Sequence, residues 1–270
     1  METTSANNKN GKTGAVKEAG KYKTFFSRVK PMIKLDFYRL FHTPAFYITV
    51  GIAALIPALV LTMVGAEQGA DAQSFTNTWQ VFEGLSGATA GLMDFANMAN
   101  VNMVFIFAAL LLSIFVSHDY GSGFVKNIFT VHAKKSDYVV SKSVVGIFGG
   151  ACMILAYFLV TVIAGAIMGK SFDLGAAGAY GLIMCLLSKM VLMGVFVPLY
   201  LIFAVLFKQK LWMTIIATFA AGILFYPVAS IAVPLDANVL TLIMCVLAAG
   251  IGFVGFGSLS GLILNKRDLA

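Results

Sequence analysis

Charge is scarce in this chain. Asp, Glu, Lys and Arg make up 11% of its 270 residues, where soluble domains carry about 25%. That scarcity excludes an ordinary globular enzyme and a disordered chain. Cysteine is scarce as well. Cys152, Cys185 and Cys245 lie in three separate apolar stretches, which excludes a disulfide framework and a Cys-x-x-Cys site. Each is expected to serve as a small apolar side chain. The three histidines, His42, His118 and His132, are too dispersed to act as a ligand set, so no metal site is expected. Catalytic groups are missing too: the apolar stretches hold almost no polar side chains, and His-Glu-x-x-His does not occur.

A phosphate-binding loop is also lacking. Gly165-Ala-Ile-Met-Gly-Lys-Ser has three residues between its glycines where four are needed, and Gly11-Lys-Thr has no upstream glycine or strand. The chain is therefore expected to be no enzyme, with no nucleotide or other cofactor bound to it.

What the chain has in abundance is apolar sequence: 59% of its residues, with a mean hydropathy of +0.88. The apolar residues fall into six runs, 44–64, 99–116, 143–168, 178–207, 211–233 and 238–264, each near the roughly 20 residues a membrane-spanning helix needs. None alternates as a barrel strand would. The expected fold is all-α: a polytopic membrane protein of six transmembrane helices, preceded by an amphipathic interfacial helix.

The few charges are sorted by side. Residues 1–43 hold nine Lys and Arg against three acids, and the inter-span stretch 118–142 adds Lys126, Lys134, Lys135 and Lys142. Lys208, Lys210, Lys266 and Arg267 follow on the same side, so that of 19 basic residues only Lys170 and Lys189 lie elsewhere. The stretch 65–98 has four acids and no base. Basic residues are retained on the cytoplasmic face, which puts both termini inside. The basic excess is read as topology and attraction to anionic membrane lipids, not nucleic-acid binding.

Residues 1–23 are polar and expected to form a flexible tail. Over 24–43, Phe25, Phe26, Val29, Met32, Ile33, Phe37, Leu40 and Phe41 recur at helical spacing among Arg28, Lys30, Lys34, Asp36 and Arg39, which predicts the interfacial helix. No apolar stretch precedes it, so the first span is expected to be an uncleaved anchor. The span domain then covers 44–265, with a short C-terminus at 266–270. The outer loop 65–98 suits an external helix, a shallow re-entrant hairpin or a solvated cap.

Inside the spans, one charge breaks the pattern. Lys189 lies near the middle of 178–207, where an ammonium costs about 2.5–3.5 kcal/mol on insertion scales. It faces the translocation route or a polar partner such as Asp173, or it snorkels to an interface. Small residues at i, i+4 spacing, Gly146 with Gly150 and Gly257 with Gly261, are expected to serve helix packing. Pro57, Pro198 and Pro227 lie within spans, where they kink or break helices.

The inner loop 118–142 carries an apolar stripe of Phe124, Val125, Ile128, Phe129 and Val131, which fits a short amphipathic helix lying on lipid or in a partner's groove. In order it shows Asp119, Tyr120, Gly123, Lys126, Asn127 and the pair Lys134-Lys135. In this the sequence resembles the membrane subunits of ABC-2 type ABC transporters, where an acidic residue and an aromatic follow the second span, then a glycine and Lys-Asn. It departs from them in Asp119, where Glu is more common, and in Phe124, where Thr or Ser is. Residues 32–47 look like that family's interfacial helix entering its first span, and the likeness runs from about 31 to 265.

The resemblance implies a permease of an ATP-driven exporter in the bacterial cytoplasmic membrane. It implies two cytosolic ABC ATPase subunits carrying ATP and Mg, and a second permease copy or a sister permease. Asp119, Tyr120, Gly123, Phe124, Lys126, Asn127, Ile128 and Phe129 would couple the chain to the ATPase. The substrate would be amphipathic, as with the peptide antibiotics handled by small six-span members. The alternatives are a membrane immunity or assembly protein that transports nothing, and a secondary transporter or channel.

Overall fold

The computed structural model describes residues 25–66, 77–83, 100–130, 134–175, 177–207 and 210–266. The tail 1–23, most of the outer loop 65–98 and the C-terminal residues after Lys266 lie outside them. The chain begins with α1 (Phe25–His42) and α2 (Pro44–Ala66), followed by a single turn, α3 (Gln80–Glu83). Next come α4 (Met103–Gly121), the short α5 (Phe124–Thr130) and α6 (Lys135–Ile167). The fold closes with α7 (Gly178–Phe207), α8 (Leu211–Ala232) and α9 (Val239–Lys266). Six of these, α2, α4, α6, α7, α8 and α9, are long and apolar enough to cross a membrane.

Two boundaries differ from the sequence expectation, for the same reason. The second span continues through His118, Asp119 and Tyr120, and the third starts at Lys135, eight residues before the apolar run. The loop expected over 118–142 is therefore mostly helix, leaving α5 and its flanks as the connection. Polar residues extend these helices because their charges are neutralised by neighbouring helices, so hydropathy alone ends the helix too soon.

The bundle is built around α4, of which 72% of an 18-residue stretch is buried in the protein, against 11% for α9. Helix α4 packs on α8, α7 and α6, while α9 leans chiefly on α7, and α2 on α6. A Cβ at Gly146 would come within 2.7 Å of Val197, and one at Gly150 within 2.7 Å of Met193, so this pair sits where α6 meets α7. Gly257 and Gly261 are placed differently. Gly257 only touches Val139, and a Cβ at Gly261 meets nothing within 4 Å. The close approach of α9 instead uses Gly252 and Gly194: a Cβ at Gly252 would lie 3.0 Å from the Val195 backbone, and one at Gly194 2.8 Å from the Ala249 side chain. These two glycines lie on different helices and form no motif along the chain.

The bundle has two distinguishable ends. Arg28 of α1 pairs with Asp137 near the start of α6, and Lys135 Nζ donates to the Leu264 carbonyl near the end of α9. The start of α1, α5 and the end of α9 thus share one end, called here the basic end. At the far end, residues 77–83 run alongside α6. The Thr78 amide donates to the Ser171 carbonyl, and the Tyr157 hydroxyl donates to that of Val81. Trp79 stacks with Phe158 and Phe82 meets Tyr157 edge-on. Tyr157 lies ten residues, about 15 Å, before the end of α6, so this piece of the outer loop reaches back along the bundle. Gly165 leaves room for the Thr78 side chain, which a Cβ would strike.

Candidate functional site at the basic end

Helix α1 buries Val29, Met32, Asp36 and Leu40, a stripe at helical spacing that includes one carboxylate. Arg39 lies one turn on from Asp36 and faces the same neighbours. From α6, Tyr138, Ser141 and Lys142 project on one face, since i, i+3 and i+4 align on a helix. Helix α4 brings Phe115 and Asp119 from its last two turns.

These residues make a joint of four charges, three of them buried and Arg39 half-buried. Lys142 Nζ lies 2.6 Å from Asp36 Oδ1 and 2.6 Å from Asp119 Oδ2. Arg39 Nη2 is 2.5 Å from Asp119 Oδ1, and its Nη1 is 3.8 Å from Asp36 Oδ1. Ser141 Oγ donates to Asp36 Oδ2 at 2.6 Å, and Tyr138 OH to Asp119 Oδ2 at 3.1 Å. Asp36, Asp119 and Lys142 are at most 1% exposed. Two acids and two bases sum to zero, which is what allows burial: an unpaired charge would cost several kcal/mol.

The joint holds the loop helix. Gly123 adopts φ +71°, the left-handed conformation that turns the chain sharply from α4 into α5. The next residue, Phe124, lies under the Arg39 guanidinium at 3.9 Å, and Phe115 under Lys142 Nζ at 4.0 Å, both cation–π contacts. Val125 is buried, Ile128 and Phe129 pack against the core, and Phe129 meets the Tyr138 ring at 5.9 Å. Lys126, Asn127 and Thr130 are exposed on the opposite face.

The eight loop residues singled out by resemblance thus divide. Asp119 and Tyr120 are buried, Asp119 within the joint; Phe124, Ile128 and Phe129 face the protein; Lys126 and Asn127 face outward; Gly123 makes the turn. Sequence reasoning treated Asp36, Arg39 and Lys142 as amphipathic or topological charges and missed the joint. The available signal was an acid on the apolar stripe of α1 and a lysine eight residues inside α6.

Lys189 belongs to a second polar group nearer the far end. Its Nζ donates to Asn102 Oδ1 at 2.7 Å, just before α4, and to the Val233 carbonyl at 3.1 Å, just after α8. Asn102 Nδ2 donates to Ser230 Oγ at 2.7 Å, and Tyr226 hydrogen-bonds the Ser230 and Asn100 side chains. The expected partner Asp173 is instead exposed, its Oδ1 accepting from the Gly175 amide. Between the two polar groups, Ser113 of α4 and Thr218 of α8 share a hydrogen bond of 2.5 Å.

Six helices long and apolar enough to span a membrane, tied at one end by buried charges, define a multi-pass membrane protein. The family model described as "ABC-2 family transporter protein" matches residues 32–225, well over half the chain, and the chain belongs to that family. No curated protein and no solved structure matches it.

Proposed function

We propose that this chain is the permease subunit of an ATP-driven ABC-2 exporter, with hydrolysis carried out by two ABC ATPase subunits on separate chains. The basic end faces the cytoplasm, as the distribution of Lys and Arg favours, and α1 lies in the inner interface. The exposed face of α5, with Lys126 and Asn127, docks in a groove of the ATPase, and a second copy or a sister permease completes the transport unit. The observation that carries this reading is the joint: buried ion pairs tie α1 to two spans, and a loop helix too short to be stable alone is seated on them through Phe124 under Arg39 and the packing of Val125, Ile128 and Phe129. Force applied to α5 then reaches the bundle without being absorbed locally. The substrate is amphipathic, of the kind exemplified by peptide antibiotics, and leaves at the far end.

Co-expression with an ABC ATPase subunit from the same genome, followed by affinity capture and ATPase assay, tests this. Lys126→Glu with Asn127→Asp is expected to lose the ATPase from the captured complex while the permease remains folded. Retention of a normal, stimulated ATPase by that variant would overturn the docking assignment. Absence of any ATPase partner would favour an immunity or assembly role.

A further inference from the structure

The last turns of α8 are built differently from the rest of the helix. Pro227 lies within α8 and has no N–H, so the helical hydrogen bond to the Ile223 carbonyl is missing. Beyond it, residues 228–233 keep Val228 and Ile231 exposed among the described residues, while Ala229 and Val233 are buried. Beside the packing of Ala229 and Val233, two polar contacts hold this tip inward: Asn102 Nδ2 on Ser230 Oγ, and Lys189 Nζ on the Val233 carbonyl. A cation at a helix C-terminus is favourably placed against the helix dipole. Lys189 also fixes Asn102 through its Oδ1, so both contacts pass through one ammonium.

We propose that residues 228–233 form a hinged flap over the far end of the bundle, with Pro227 as hinge and Lys189–Asn102 as latch. Its opening clears the substrate's exit between α4, α7 and α8. The inference rests on the exporter reading for what drives it, and on geometry alone for the latch. The drive runs through α4, which has no proline or internal glycine. Asp119 in the joint and Asn102 in the latch stand 17 residues apart on that rod, about 25 Å. Displacement of α5 thereby moves Asn102. Below the hinge, the Ser113–Thr218 bond keeps α8 on α4, so only the tip separates.

The test places one thiol under the flap. Ala229→Cys is made in a full chain with Cys152, Cys185 and Cys245 changed to Ala, and labelled in intact cells with a membrane-impermeant maleimide. Cys at 229 is expected to react slowly. Lys189→Met, or the milder Asn102→Ala, should speed labelling about tenfold, the effect of losing a charged hydrogen bond. Pro227→Ala restores the helical bond and should slow it, a change opposite in sign to that of misfolding. Unchanged labelling in both latch variants, or faster labelling with Pro227→Ala, overturns the flap. Vanadate trapping of the co-expressed ATPase should raise labelling in the parent. If the latch variants respond and trapping does nothing, the flap stands and the exporter reading falls. If the permease stimulates the co-expressed ATPase while the latch variants label as the parent does, the exporter stands and the flap falls.

Discussion

Lys142 is a fully buried ammonium between two carboxylates that approach from different helices. Lys142→Met keeps the length of the side chain but leaves Asp36 and Asp119 to share Arg39. Breaking one partner of a buried pair typically costs about 3–5 kcal/mol, and the melting temperature of the purified permease should fall accordingly. Arg39→Lys probes a different property. The guanidinium bridges Asp119 and stacks on Phe124 at once, which a point charge on a flexible stem does not do. This variant is expected to keep its fold and its ATPase partner but to lose most of the stimulation of ATP hydrolysis. Neither residue could be assigned this role from sequence. Asp36 and Lys142 are 106 positions apart, and no local pattern reports which of many surface-type charges meet in space. Lys189 was legible, because an isolated charge in a long apolar run must find partners; which partners depended on where α4 begins and α8 ends.

At the scale of elements, the six spans were legible because apolar length is a direct physical requirement of the bilayer. The ends were not, because hydropathy prices each charge as if it met lipid. The joint instead neutralises Asp119 and Lys142, and the helices run on through them. The turn at Gly123 gives a test of α5 as an element. Gly123→Ala forces a Cβ into φ +71° although nothing nearby would clash, so the cost is conformational, about 1–2 kcal/mol. The expected result is a mispositioned α5: ATPase stimulation falls well below the parent level, while the melting temperature moves by only a few degrees.

Across the whole molecule, packing glycines are found where helices cross, whether a short motif marks them, as with Gly146 and Gly150, or not. Gly252 faces the Val195 backbone, which has no room to move, whereas Gly261 faces open space. Gly252→Leu should separate α9 from α7, with overpacking of about 1–3 kcal/mol or more. Gly261→Leu should leave the stability of the isolated chain unchanged; thermal melts of both in one detergent make the comparison. The Gly257-x-x-x-Gly261 spacing was visible in the sequence, but spacing reports only what a helix surface could accept. The partner surface is decided by crossing geometry.

The joint also has a consequence for how the chain is made. Its members leave the ribosome in the order Asp36, Arg39, Asp119 and Lys142. When two spans have been inserted, the nascent chain carries both carboxylates with one guanidinium to serve them. Only the start of the third span restores neutrality. The joint can therefore close only after the third span has begun, and a chain interrupted before that point leaves Asp36 and Asp119 without the ammonium that bridges them.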